Sequence, residues 1–300
     1  MKSFEKDIEY FESLISEGEI LEATEFGLKL LNKYPDNSVL LDKVVDFLFK
    51  VGKGKNAINL ILSLSQKKLK EGYIESAESL LKKGLKYEPY NIRIRKLLSL
   101  IYEEKGLLYE SFRIIFEGWK NCRNIQEKNE MRKEMILKLE KLISTAEELK
   151  KKNVENLLIY FANLARKTLK ADRCSLYLFN NKKNELWTKL AHGVEKIIIP
   201  ADRGFAGYTF KTGTPVISNN PYDDKRFYRD IDQQTGYRTE NIATVPMFGK
   251  NEKVIGVFQA LNKKGGFSRD DVAFLSFLAE YFATIIDDFN FEKNLQQNTN

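Results

Sequence analysis

Three hundred residues, 43% of them apolar and 30% charged, suffice for about two domains with cores of their own. Two lone cysteines, Cys122 and Cys174, and a single histidine, His192, argue against a disulfide framework, a zinc site and most histidine-dependent acid–base chemistry. The net charge of +7 divides as +1 over residues 1–122, +3 over 123–152 and +3 over 153–300, an interspersed lysine-rich surface from which no nucleic-acid partner is expected.

The N-terminus, MKSFEKDIEYFESL, is charged and lacks an apolar signal core, and no run of 18 apolar residues follows, so no membrane partner and a cytoplasmic location are expected. Residues 1–122 read as short amphipathic helices that repeat imperfectly. Gly18 and Gly52 are 34 residues apart, as are Gly72 and Gly106, and five residues after each glycine comes Ala23, Ala57, Ala77 or Ser111. A glycine permits the tight turn and a small residue lets the second helix of a hairpin approach the first. Pro35 and Pro89 each follow their glycine by 17 residues and stop the helix there. This register resembles tetratricopeptide repeats, which implies a helical stack that engages a protein partner. Gly52 and Gly72 are only 20 apart, so Lys55 to Glu71 is expected to form one longer helix shared by both neighbours.

Residues 123–152 read as a charged helical linker. Met135, Leu139, Leu142, Ala146 and Leu149 are spaced 4, 3, 4 and 3, an a/d seam of about two heptads that predicts a coiled-coil contact and a homodimer. Residues 153–290 change period. A helix from Val154 leads into CSLYLF (174–179) and ELWTKLA (185–191), a hairpin joined by NNKKN. IATVPMF (242–248) and VIGVFQALN (254–262), joined through GKNE, make a second hairpin, and a final helix starts at Ser268 as N-cap with Asp271 at its third position. Residues 291–300 read as a polar tail. An antiparallel sheet between terminal helices is an α+β domain, so the chain is expected to be multidomain, all-α then α+β.

In DRGFAGYTFKTG (202–213), Gly204 and Gly207 at a helix start suit either an anion on the free N–H groups or a tight strand-to-helix turn. That block, with FYRDIDQQTGYRT (227–239) and NKKGGFSRDD (262–271), resembles the GAF domain, above all its cyclic-nucleotide-binding type. The resemblance implies a pocket between sheet and short helices, formed by Ser175, Ala191, Phe205, Ala206, Tyr228, Asp232, Thr235, Thr239 and Gln259, with cAMP or cGMP as ligand. Asp232 and the threonines would bond a base edge or sugar, and the Phe205 and Ala206 amides a phosphate. Ala191 stands where some relatives stack an aromatic ring, and Gln259 replaces an acid seen in some. The resemblance also assigns Asn262, Lys263, Phe267 and Asp271 to a structural motif, with Lys263 paired to Asp271 and Val272 in place of its closing acid.

The resulting expectation is a non-enzymatic sensor, without metal or resident cofactor, that passes a ligand signal to a partner protein. An interaction module whose GAF domain binds nothing is the alternative. A GAF-type methionine sulfoxide reductase would need resolving cysteines beside Cys174, and the domain has none.

Overall fold

A computed structural model describes residues 2–35, 37–145, 154–188 and 197–298. The chain divides into two compact units, Met1–Leu139 and Glu140–Asn300. The first unit is helical: α1 (Lys2–Glu17), α2 (Ile20–Lys33), α3 (Ser38–Lys50), α4 (Gly54–Lys70), α5 (Ile74–Tyr87), α6 (Ile92–Glu104), α7 (Leu108–Asn121) and most of α8 (Ile125–Thr145). From α1 to α7 each helix packs on the next. Four of the turns pass through Gly18, Gly52, Gly72 and Gly106 with φ of 79°, 76°, 84° and 72°. This left-handed backbone costs other residues about 1–2 kcal/mol. Ala23, Ala57, Ala77 and Ser111 are all buried where the following helix meets its predecessor.

At the proline turns the sequence carried a further signal. Asn37 and Asn91 cap α3 and α6, their side-chain oxygens accepting from the backbone N–H of Leu40 (2.9 Å) and Ile94 (3.1 Å). The longer shared helix is α4, 17 residues packed against both α3 and α5. Arg95 is buried, and among the described residues no carboxylate lies within ion-pair distance of it. Its guanidinium donates to the Pro89 and Ile114 carbonyls, and Gly118 makes room for it, since a β-carbon there would stand 2.5 Å from Arg95 Cδ.

The seam of α8 meets a different environment from the one expected. Met135 and Leu139 are fully buried, together with Met131, and Lys138 pairs with Glu103 of α6 at 2.6 Å. A helix that follows an amphipathic stack finds its nearest apolar surface within its own unit, so these seam positions are occupied there. Ala146 and Leu149 lie outside the described residues.

The second unit runs α9 (Val154–Leu169), β1 (Ala171–Asn180), β2 (Glu185–Thr188), β3 (Ile197–Pro200), α10 (Gly204–Thr212), β4 (Val216–Ser218), α11 (Asp230–Thr235), β5 (Ile242–Phe248), β6 (Val254–Lys263) and α12 (Arg269–Asn298). All ladders of its six-stranded sheet are antiparallel, in the order β3-β2-β1-β6-β5-β4. The two hairpins form the centre, as their alternation predicts. The edge strands β3 and β4 were not foreseen.

Period-2 alternation gives the sheet two different faces. Cys174 and Leu176 line up with Ala260 and Phe258 of β6 and with Ala243 and Val245 of β5 on one of them. There α9 packs on β1 and α12 on β5 and β6, with Phe161, Phe274 and Phe282 fully buried. Each such ring contributes about 1.5–3 kcal/mol by leaving water. α12 starts on a capping box: Ser268 donates its N–H and hydroxyl to Asp271 Oδ2 at 2.9 and 2.8 Å. Asp271 is fully buried and its Oδ1 lies 2.6 Å from Lys263 Nζ, which ties helix to strand.

Candidate functional site

The opposite face of the sheet is organised in cross-strand rows. Arg173, Leu261 and Ile242 form one row, Ser175, Gln259 and Thr244 the next, and Tyr177, Val257 and Pro246 a third. Above them lie α10 and the segment carrying α11. Between floor and roof is a hollow of about 680 Å³, its open mouth included.

Of the nine residues that the sequence assigns to a ligand pocket, eight line this hollow. Ser175 and Gln259 come from the floor, Phe205 and Ala206 from the start of α10, and Tyr228, Asp232, Thr235 and Thr239 from α11 and its flanks. The ninth, Ala191, lies outside the described residues, as does His192. Phe205 and Ala206 are buried, and their N–H groups belong to the first turn of α10, where no helical carbonyl is in reach. Gly204 lines the hollow, whereas Gly207 serves the turn. A β-carbon at Gly207 would stand 2.7 Å from the Asp202 carbonyl carbon, so here the close approach is backbone to backbone.

Asp232 and Thr239 are also bonded to one another. Asp232 Oδ2 accepts from the Thr239 N–H at 2.7 Å and the Tyr222 hydroxyl at 2.9 Å, while Oδ1 accepts from the Thr239 hydroxyl at 2.9 Å. The buried carboxylate latches both flanks of α11, because three local donors compensate the charge that burial would otherwise expose to loss of water. Thr235 gives its hydroxyl to the Ile231 carbonyl at 2.7 Å. The bond to Asp232 raises the Tyr222 pKa, and burial pushes that of Tyr177 to about 12, so both rings stay neutral donors at physiological pH.

Arg173 and Tyr237 also line the hollow and escaped the sequence reading. The Arg173 guanidinium lies 3.7 Å from the centre of the Tyr237 ring, whose hydroxyl donates to Asp172 at 2.6 Å. The signal was present: Arg173 precedes Ser175 and Tyr177 by the same period of two. Asn262 and Asn241 brace the far end of the ladder, with Asn262 Nδ2 donating to the Arg238 carbonyl at 2.7 Å and the Lys263 N–H donating to Asn241 Oδ1 at 2.9 Å. Phe267 is buried, its N–H donating to Asn219 Oδ1 at 3.1 Å.

Burial raises the Cys174 thiol pKa, the opposite of what a thiolate nucleophile requires. Among the described residues no cluster of acids, cysteines or histidines could hold a metal, and no helix is long and apolar enough to cross a membrane. In the helical unit a second hollow, about 1700 Å³ with its open mouth, lies along α3 and α5 and carries Lys82, Lys83 and Lys86 beside Asp42 and Asp46.

Residues 153–286 match the GAF domain family. A curated relative, the probable 3',5'-cyclic phosphodiesterase pde-5 of Caenorhabditis elegans, is 31% identical over 144 residues, which span 43% of this chain and 20% of that protein. The GAF domain of a phosphoenolpyruvate-protein phosphotransferase from Coxiella burnetii is 16% identical, covering 54% of this chain and 96% of that one at a TM-score of 0.47. Its counterpart from Acinetobacter is 19% identical, covering 55% and 98% at a TM-score of 0.44.

Proposed function

We propose that the GAF domain formed by residues 153–286 binds a 3',5'-cyclic nucleotide in the hollow between its sheet and α10–α11, and that the helical unit engages a partner protein. The chain is thereby a regulatory sensor rather than a catalyst. The observation that carries this reading is the convergence of eight motif residues, scattered from Ser175 to Gln259 in sequence, on one hollow with free helix-start amides at its wall. A relative named as a cyclic phosphodiesterase supports the choice of ligand class. The groove along α3 and α5 is the surface on offer to a partner.

The test is thermal unfolding of the whole chain with cAMP or cGMP. A ligand at about a hundred times its dissociation constant adds about 2.7 kcal/mol to the domain that binds it. Absence of any shift at millimolar concentration of both nucleotides would sink the cyclic-nucleotide reading. One observation favours a second function in that event: Asp232, the only acid among the described residues that line the hollow, already accepts from three local donors, so its burial needs no ligand and the domain can serve as an interaction module alone.

A further inference from the structure

The helical unit is short of one helix. Gly52 and Gly72 stand 20 residues apart where Gly18 and Gly52, and Gly72 and Gly106, stand 34 apart, a shortfall of 14 residues. That is the length of one helix in this stack, since α2, α5 and α7 have 14 residues each. Helix α4 stands in for the absent member by packing on both α3 and α5. These two flank it with an open groove between them, the hollow of about 1700 Å³. Along α5 its lining runs from Ser76 to Tyr87, which at 1.5 Å per residue is about 16 Å, or three helical turns.

The two walls are joined across the groove by polar side chains. Lys83 of α5 reaches Asp42 and Asp46 of α3 at 2.7 and 3.0 Å, and the Tyr87 hydroxyl donates to Asp46. Both acids of the lining are thus compensated from within it. Lys68, Lys82 and Lys86 line the same groove, so its lysines outnumber its acids by four to two. Lys82 also lies 2.6 Å from Glu78, but Lys105 holds that carboxylate too, so two cations meet one acid there. Between the charged groups the lining is apolar or small, with Leu41 and Leu80 as its branched aliphatic side chains and hydroxyls from Ser76 and Ser79.

We infer that this groove takes an amphipathic helix of a partner protein, about three turns long, with an apolar stripe for Leu41 and Leu80 and acidic flanks for the lysines. The inference rests on the partner-binding reading above and deepens it. Length points to a helix: the groove has the span of a member of the stack, and a helix laid between two others meets side-chain ridges on either side. A helix also satisfies its own backbone groups, which the helical walls cannot do for an extended segment as a sheet edge would. Charge points to acids, because a cationic groove draws in and favours a partner of opposite sign, and that attraction is screened by salt. With Lys83 engaged by both aspartates, the occupant's acids meet Lys68, Lys82 and Lys86.

Fluorescence anisotropy of the full chain with labelled peptides tests this. The probe is a peptide of about 14 residues with leucines at helical i, i+3, i+4 and i+7 spacing and glutamates elsewhere, beside counterparts carrying glutamine or lysine in place of glutamate. The glutamate peptide is expected to bind at least about tenfold more tightly than either counterpart and to lose affinity as salt rises. Lys68→Glu combined with Lys86→Glu should weaken it by about the same factor. Ser79→Trp, which fills the groove from an exposed position without changing its charge, should block it, and a proline at the centre of the peptide should abolish binding. The comparison among peptides uses the unmodified protein, so it decides the charge chemistry even where a variant misfolds. Equal or tighter binding of the glutamine or lysine peptide would overturn the acidic occupant and leave the partner-binding reading standing. Undiminished binding in the variants would overturn the placement in this groove, and undiminished binding of the proline peptide would overturn the helical form. Self-association of the chain that Ser79→Trp abolishes would give the groove to a second copy, and tighter binding of an oligothymidylate would give it to nucleic acid, each overturning the inference. Binding of no peptide would overturn the inference together with the groove's part in the partner-binding reading.

Discussion

The two units solve the same problem, burying an amphipathic surface, by different routes. In the helical unit the contacts are short-range in sequence: each of α1 to α7 packs on the next, and every turn carries its own instruction, a left-handed glycine or an asparagine cap. In the GAF unit the central partners are far apart. Cys174 pairs with Ala260 and Ala171 with Lys263, and the helix that covers this ladder is tied to its last strand residue by the Asp271–Lys263 ion pair. Stability that is local should respond to mutation locally, whereas stability held by a few long-range ties should be concentrated in those ties.

The sharpest way to break this contrast is Asp271→Ala. Removing one partner of a buried ion pair strands the other, a loss of about 3–5 kcal/mol, expected here towards the lower end because the Lys263 side chain is 17% exposed. Calorimetry should show the GAF transition falling while the helical one stays in place, and adding Lys263→Met should recover part of the loss. A common shift of both transitions would show that the units do not melt independently. Next comes Gly118→Ala, which forces a β-carbon against Arg95 and should lower the helical transition alone by about 1–3 kcal/mol.

Tyr222→Phe removes one of three donors to the Asp232 latch and should destabilise the GAF unit by about 1.5 kcal/mol. An unchanged denaturation midpoint would mean that Thr239 suffices as the latch. The smallest effects belong to the caps. Asn37→Ala and Asn91→Ala should each cost about 1 kcal/mol and add when combined, since they share no partner. A double-mutant cycle with a coupling term well above about 0.5 kcal/mol would show the stack to be less local than its contacts imply.

How much could be read in advance follows the same divide. The glycine spacing gave the helical turns, and the shortfall of 20 between Gly52 and Gly72 gave the shared helix, because a turn residue acts where it stands. The asparagine caps were legible too and were passed over beside the prolines. In the GAF unit the central hairpins announced themselves by alternation. Strands β3 and β4, of four and three residues, are too short for a period to show, and β3 ends in proline. The pocket positions came from motif order, but the latch did not, since nothing local says that Asp232 will meet Tyr222 ten residues earlier. Arg173 was missed at the point where the strand was taken to begin. The burial of Met135 and Leu139 depends on surfaces far away in sequence, which a heptad count does not see.

The shared helix α4 has a geometric consequence of its own. Helices joined by short loops alternate in direction, so a stack in which every turn belongs to a two-helix unit keeps all its proline turns at one end. With one helix counted twice, the parity changes at α4. Gly18 and Gly52 fall at one pole, Gly72 and Gly106 at the other, and Pro35 and Pro89 are likewise sent to opposite poles. The second half of the array runs reversed relative to the first: the rim that begins with Gly18 and Gly52 continues with Pro89 where periodicity would have placed a glycine, and the rim that begins with Pro35 continues with Gly72 and Gly106 where it would have placed a proline.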